Sequence, residues 1–252
     1  MISGYGKTLR IILSLFLILF LFLPGRSNAG IKTSPIEDYL HHYLSSLKTT
    51  GDLNYHKKTY LAAAGLLPIS FLFDAKLQKY ISKNPVYPKP VSKLGDLYGN
   101  PYGYLITSLL IFSEGVIFRQ KFNKTVCKFV LLAETILTTA TVTSLLKDIT
   151  HRQRPNKESY SSFPSGHTSG SFALAAVVDK LYGKKAGIFA YSMAVFVGTT
   201  RINDNKHYLS DVIAGSILGT VIGRSFAKNF NENMIKVIWK PKEGEISLVY
   251  EF

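Results

Sequence analysis

The apolar residues of this chain gather in segments of helical length. The five longest cover residues 103–119, 124–149, 166–182, 185–200 and 209–228. Strands usually span about four to eight residues, so runs of this length favour helices. No convincing alternating pattern, the mark of a half-buried strand, precedes the C-terminus. The sequence therefore predicts an all-α fold built as a helical bundle.

Further segments lie at both ends of the bundle. Ser34-Pro35-Ile36-Glu37 has the form of a capping box and begins an amphipathic helix that continues to about residue 48. A second apolar segment covers residues 59–73, and residues 84–103, rich in Pro, Lys and Gly, predict a linker. Two short apolar runs within residues 236–252 predict a hairpin or an extended, β-like C-terminal tail.

The first residues are typical of an export signal. Lys7 and Arg10 precede the apolar residues 11–23, and Ser27-Asn28-Ala29 offers the small residues that a signal peptidase reads. This apolar run is shorter than the about 20 residues that span a bilayer, which favours a cleaved signal peptide over an N-terminal anchor. The predicted division is a signal peptide or anchor at 1–29, an N-terminal helical extension and linker at 30–100, a core at 101–230 and a tail at 231–252.

Net charge narrows the choice of partners. The chain carries +14, which favours anionic partners such as lipid headgroups, lipopolysaccharide or phosphorylated metabolites. Nucleic acid is not expected, because an exported chain seldom meets it and no binding motif is present. Cys127 is the only cysteine, so an intramolecular disulfide and a cysteine-pair metal site are excluded. His41, His42 and His56 lie outside every motif and are interpreted as surface residues.

The sequence gives opposing signals about a membrane. Charged residues interrupt the core segments, namely Glu114, Lys128, Glu134 and Asp179, and no segment reaches 18 uncharged apolar residues. The last helix, however, carries Gly215, Gly219 and Gly223 on one face, a spacing that lets membrane helices approach closely. A tightly packed soluble bundle could use the same glycines. We expect membrane association, with a freely soluble periplasmic protein as the alternative.

Three short motifs carry the chemistry. They are Lys147-x6-Arg154-Pro155, Pro164-Ser165-Gly166-His167 and Arg201-x5-His207-x3-Asp211. Together they supply three cations, two imidazoles, one carboxylate and a Ser-Gly turn. Such a set can break a phosphate ester without a metal, because the cations neutralise the phosphoryl oxygens while one histidine attacks phosphorus and the other protonates the leaving oxygen.

The motifs fall at predicted helix ends. The second motif immediately precedes an apolar run and so occupies a helix N-terminus, where backbone N–H groups favour an anion. Asp211 follows His207 by about one helical turn and can accept a hydrogen bond from one ring nitrogen, leaving the other to face phosphorus. Ser210 is interpreted as a helix cap and His151 as loop surface, and Arg152 is assigned no role.

The order and spacing resemble the three-part signature of the type 2 phosphatidic acid phosphatase / vanadium haloperoxidase superfamily. Thr200 stands before Arg201 where that signature usually has Ser, and it keeps the hydroxyl. The resemblance implies that His207 is a nucleophile forming a phosphohistidine, that Asp211 orients it, and that His167 is the general acid and then the base. It also implies a phosphate cradle made of Lys147, Arg154, Ser165, Gly166 and Arg201.

The predicted function is that of a phosphatase with no metal and no cofactor. Its expected substrate is a lipid phosphate or pyrophosphate at the periplasmic face of a bacterial membrane: an anionic phospholipid such as phosphatidylglycerophosphate, lipid A, or the isoprenoid phosphate undecaprenyl diphosphate. Three alternatives stay open. They are a soluble periplasmic non-specific acid phosphatase, a vanadium haloperoxidase, for which the chain is short, and a non-catalytic lipid-binding protein, which the complete set of charged motif residues disfavours.

Overall fold

A computed structural model of the chain describes residues 35–240 and 245–250. The predicted signal peptide or anchor lies outside these residues. Within them, seven helices precede a two-stranded sheet. The helices are α1 (Pro35–Thr50), α2 (Lys57–Lys83), α3 (Lys89–Gly99), α4 (Pro101–Ile117), α5 (Phe122–Thr150), α6 (Gly166–Asn203) and α7 (Leu209–Asn229), and the strands are β1 (Ile235–Lys240) and β2 (Glu245–Tyr250).

The all-α prediction with a short β-like tail is confirmed. The two segments predicted at 166–182 and 185–200 are the halves of α6, which breaks at Gly183, where φ is +79°. That backbone conformation is readily adopted only by glycine. At the C-terminus β1 and β2 pair antiparallel, with Ile235 opposite Tyr250, so the hairpin alternative is the correct one.

The predicted linker at 84–103 is wrong, because most of it is helix α3. Its glycines serve close packing and not flexibility. A Cβ at Gly95 would lie 2.4 Å from the Thr200 hydroxyl, and one at Gly99 would lie 3.0 Å from the His167 side chain. Both neighbours belong to α6, so the glycine face of α3 rests directly on the helix that carries two of the motifs.

The glycines of α7 pack in the same way on the first half of α6. A Cβ at Gly215 would lie 2.6 Å from the carbonyl oxygen of Ser165, and one at Gly219 would lie 2.1 Å from that of Ser169. Leu174 and Phe226, from α6 and α7, are fully buried in the core beside this contact. The close approach brings the start of α7 against the start of α6.

Two of the charges that interrupt the apolar segments are buried. Lys128 and Glu134 of α5 are 3% and 0% exposed, and Lys128 forms a 2.7 Å ion pair with Glu114 of α4. The outer faces of α2 and α4 instead expose large apolar side chains, such as Leu72 and Ile117. By length and composition, three described helices, α2, α5 and α7, are apolar enough to cross a membrane.

Two of the histidines interpreted as surface residues are buried. His42 of α1 is 6% exposed and lies 3.6 Å from Glu134. His56 is 2% exposed, and its Nε2 lies 2.9 Å from the Ser225 hydroxyl. Both histidines thus fasten the N-terminal segment to the bundle through polar contacts that sequence periodicity does not reveal.

Candidate active site

The three motifs meet through the backbone. Lys147 lies in the last turn of α5, Gly166 begins α6, and Arg201 lies in the last turn of the same helix. The backbone N–H of Ser165 donates to the carbonyl oxygen of Asp211 at 2.9 Å, which joins the second motif to the third. The loop after α5 also contacts the third motif, because the N–H of Asn156 donates to the carbonyl oxygen of Asn205, which lies between Arg201 and His207. The site therefore forms where several helices begin or end.

His207 is buried beside a carboxylate and two cations. Its side chain is 2% exposed, and its Nδ1 lies 3.7 Å from Oδ2 of Asp211, within ion-pair range but longer than a hydrogen bond. Burial lowers the pKa of His207 to about 3, the charges of Lys147 and Arg154 lower it as well, and Asp211 opposes them. The imidazole is therefore neutral at neutral pH, and Nε2 is the ring nitrogen on the side away from Asp211.

Asp211 is held by three donors. Its Oδ2 accepts hydrogen bonds from the Ser162 hydroxyl and, at 2.8 Å, from the N–H of Tyr208. Its Oδ1 accepts one from Arg152 at 2.7 Å. The carboxylate is fully buried, so these bonds determine where it can point.

His167 and Arg201 share a carboxylate that sequence reasoning missed. Nε2 of His167 lies 3.1 Å from Oδ1 of Asp96 in α3, and Arg201 donates to the same oxygen at 2.6 Å. The hydrogen bond from His167 and the charge of Arg201 lower the pKa of Asp96 to about 2. Burial and the charges of Arg201 and Arg154 lower the pKa of His167, while Asp96 raises it.

The remaining predicted phosphate-binding residues surround the two histidines. Lys147 donates to the carbonyl oxygen of Ser161, and its charge reaches His207. The charge of Arg154 acts on both histidines. The hydroxyl of Ser165 accepts a hydrogen bond from Thr168 at 2.9 Å, so its own proton can be donated to another oxygen.

All eight predicted site residues thus fall in one region, at helix ends and loops around the buried His207. Gly166, the first residue of α6, places the helix N-terminus there, where backbone N–H groups attract an anion. His151 is exposed and stacks on Tyr160, as the loop interpretation expects. No group of three His, Cys, Asp or Glu side chains that could hold a metal ion occurs within residues 35–240 and 245–250.

Sequence reasoning missed Asp96, Arg152 and Asp74, and misplaced Ser210. Tyr208 occupies the N-cap position of α7, while Ser210 bonds to Asp74 of α2. A weak signal existed for both carboxylates: Asp96 is the only acid in residues 84–103, and Asp74 is the only acid in the apolar helix α2. A lone acid in such a segment needs a partner, but the partner is defined only by tertiary packing.

Part of the chain is similar to known proteins. Residues 128–235 match the model of the PAP2 superfamily. The chain is 37% identical over 75 residues to a lipid A 1-phosphatase of Porphyromonas gingivalis, which covers 29% of this chain and 17% of that protein. It is 29% identical over 175 residues to a lipid A 1-phosphatase of Rhizobium johnstonii, which covers 59% of this chain and 69% of that protein.

A solved structure, that of Aquifex aeolicus LpxE, aligns with a TM-score of 0.47 at 22% identity, covering 62% of this chain and 95% of the other.

The chain matches different shares of the length of its curated relatives. A lipid phosphate phosphatase of Arabidopsis thaliana is matched over 43% of its length, so the chain spans less than half of the first two curated relatives.

Proposed function

Residues 128–235 match the PAP2 superfamily model, and on that premise we propose that the chain is a lipid phosphate phosphatase, a phosphoric monoester hydrolase that needs no metal. One observation carries the proposal: a buried, neutral His207 backed by Asp211 lies in the same cluster as His167 and three cations. The cluster has a residue for attack on phosphorus, for proton transfer and for neutralising the phosphoryl oxygens.

In the proposed first step, Nε2 of His207 attacks phosphorus. The ester bond between phosphorus and the leaving oxygen breaks, and His167, protonated, gives its proton to that oxygen. The product alcohol leaves, and a phosphohistidine remains. Asp211 stabilises the positive charge that develops on the imidazole of His207, because it lies beside Nδ1.

In the second step, His167 removes a proton from water, whose oxygen attacks phosphorus. The phosphorus–nitrogen bond breaks, inorganic phosphate forms, and His207 is neutral again. Lys147, Arg154 and Arg201 neutralise the phosphoryl oxygens throughout, which is the role that a metal ion performs in other phosphatases.

A lipid is the substrate class that the rest of the molecule favours. Three helices are apolar enough to enter a membrane, and the apolar side chains of α2 and α4 are exposed on the outside of the bundle. The relatives are named for lipid A and lipid phosphates. With the export signal predicted at residues 1–29, we place the reaction at the periplasmic face of the membrane.

A substrate panel tests this function. Phosphate release by the purified protein is measured with lipid A, phosphatidylglycerophosphate, undecaprenyl diphosphate and p-nitrophenyl phosphate, each with EDTA present. We expect at least one lipid to be hydrolysed faster than p-nitrophenyl phosphate, with no loss in EDTA. A preference for p-nitrophenyl phosphate would favour a soluble acid phosphatase, and activity lost in EDTA and restored by a divalent ion would contradict metal independence.

A further inference from the structure

Asp74 is a buried acid in an apolar helix. It is 5% exposed and is the only acid in α2, one of the helices that could cross a membrane. An ionisable side chain in such a helix is expensive to bury without partners, and it usually marks a functional position. The signature motifs do not include it.

The partners of Asp74 lead to the catalytic carboxylate. The N–H of Ser210 donates to Asp74 at 2.9 Å, and the Ser210 hydroxyl donates to it as well. Arg152 donates to Asp74 through one terminal nitrogen at 2.7 Å and to Asp211 through the other at 2.7 Å. The guanidinium group thus bridges two buried carboxylates.

The guanidinium plane is also held by aromatic rings. Its central carbon lies 4.4 Å from the ring centroid of Tyr208 and 5.1 Å from that of Phe71. Planar stacking of this kind and two-sided hydrogen bonding are properties of Arg that Lys lacks. Arg152 is therefore fixed in position and orientation.

We propose that Asp74 and Arg152 are positioning residues for the nucleophile, acting through Asp211 on His207. The inference rests on the proposed function. Among the donors described for Asp211, only Arg152 bonds to Oδ1, since Ser162 and the Tyr208 N–H both bond to Oδ2. Without Arg152 the Asp211 carboxylate loses the hydrogen bond that fixes its rotation. The distance between its Oδ2 and Nδ1 of His207 is then no longer fixed.

Asp74 has two effects in this arrangement. It accepts a hydrogen bond from the side of the guanidinium group that faces away from Asp211. Its negative charge also offsets the positive charge of Arg152, which would otherwise be balanced by Asp211 alone. Asp211 then keeps its capacity to stabilise a positive charge on His207 when the phosphohistidine forms. Neither Asp74 nor Arg152 needs to touch the substrate.

The test compares Asp74→Asn and Arg152→Lys with the wild-type protein, using a lipid phosphate as substrate. Both variants should lower kcat by about 10- to 100-fold, the range found for groups that orient metal ligands through a hydrogen bond, with KM within about twofold. The double variant should be no slower than the slower single variant, because the pair acts as a unit. The rate of phosphate transfer to the enzyme should fall by the same factor as kcat.

Glu114→Gln is the matched control. It breaks another carboxylate–cation pair, with the buried Lys128 near the start of α5, far from Lys147 at the end of that helix. It should lower thermal stability while leaving kcat per folded molecule unchanged. If Asp74→Asn does not fold, Arg152→Lys decides the question on its own, and Phe71→Leu, which removes a ring beside the guanidinium and no charge, should lower kcat in the same direction.

The outcomes separate this inference from the function on which it rests. The inference is wrong if His207→Ala is inactive while folded Arg152→Lys and Asp74→Asn keep the wild-type kcat and lose only stability. In that case the pair only stabilises the packing of α2 on the bundle. If folded His207→Ala releases phosphate at a near-wild-type rate, the assignment of His207 as nucleophile, on which the inference rests, is wrong.

Discussion

At the scale of single residues, Asp96 stands out because it touches two signature residues and belongs to none of the motifs. Its carboxylate lies beside His167 and Arg201, and its pKa of about 2 keeps it ionised at all physiological pH values. The pKa of His167 is lowered by burial and by Arg201 and Arg154, and Asp96 opposes that shift. We interpret Asp96 as the group that keeps His167 able to carry a proton.

Asp96→Asn should therefore shift the pH dependence of catalysis. His167 acts as an acid only in its protonated form, and the substitution removes the charge that raises its pKa. The alkaline limb of the kcat/KM profile should move to lower pH, so that activity at pH 7 falls relative to activity in mild acid. The position of the limb is the readout, because its height also reflects any change in the Arg201 contact.

Glu232→Gln is the control for this prediction, since it removes a carboxylate whose ion-pair partner is Lys124, at the start of α5. Its profile should overlay that of the wild-type protein. An alkaline limb that stays in place in Asp96→Asn, or that moves to higher pH, would show that Asp96 does not support the proton on His167.

Residues of the candidate site could be predicted where a motif in one stretch of sequence contains them. His167, His207 and Asp211 were predicted because their motifs keep a fixed spacing along the chain. Asp96 and Asp74 could not be, because each reaches the site from another helix: Asp96 lies 71 residues before His167, and Asp74 lies 78 residues before Arg152. Arg152 lies within the first motif, but its contacts with Asp74 and Asp211 become visible only in the folded structure.

At the scale of the helices, glycine faces determine how closely the elements around the site approach. The glycines of α7 were predicted to serve close packing, and they do. Those of α3 were interpreted as linker residues, because glycine beside proline usually marks a loop. Composition cannot separate the two uses; what decides is that Gly95 and Gly99 are one helical turn apart and meet α6.

Gly219→Ala should disturb the α6–α7 contact. The new Cβ would lie 2.1 Å from the carbonyl oxygen of Ser169 and 2.9 Å from the backbone nitrogen of Ala173, and backbone atoms cannot rotate away. We expect a loss of about 1–3 kcal/mol in stability, as for overpacked cores, together with lower activity, because the starts of both helices belong to the site. Thermal unfolding in detergent and phosphate release measure the two effects.

Gly65→Ala is the matched substitution in α2, where a Cβ would meet nothing within 4 Å. It should be neutral or stabilising by up to about 1 kcal/mol, because alanine favours a helix more than glycine does. Equal stability of Gly219→Ala and Gly65→Ala would contradict the claim that the glycine face sets the spacing of the helices.

At the scale of the whole molecule, polar and apolar residues are distributed as in a membrane bundle. Lys128 and Glu134 of α5 are buried and Lys128 pairs with Glu114, whereas large apolar side chains lie outside. The sequence could not decide this point, because a run of residues does not tell which face of its helix a charge occupies. Once Lys128 and Glu134 are seen to be buried, they no longer argue against insertion.

The protein should accordingly remain with membranes when electrostatic attraction is removed. At about 1 M salt the screening length falls to about 3 Å, so a basic protein held only by anionic headgroups is released. We expect this protein to stay in the membrane pellet under that wash and to be extracted by detergent. Release by salt alone would favour a peripheral or soluble enzyme.

Rapid-quench labelling measures whether His207 attacks phosphorus. The enzyme is mixed with a lipid carrying labelled phosphate, denatured within milliseconds in alkali, and examined for label bound to protein. We predict label on the wild-type protein, stable in alkali and released by acid as expected for a phosphohistidine, and none on folded His207→Ala, which should also lack turnover. Label on His207→Ala, or near-wild-type phosphate release by it, would show that His207 is not the nucleophile.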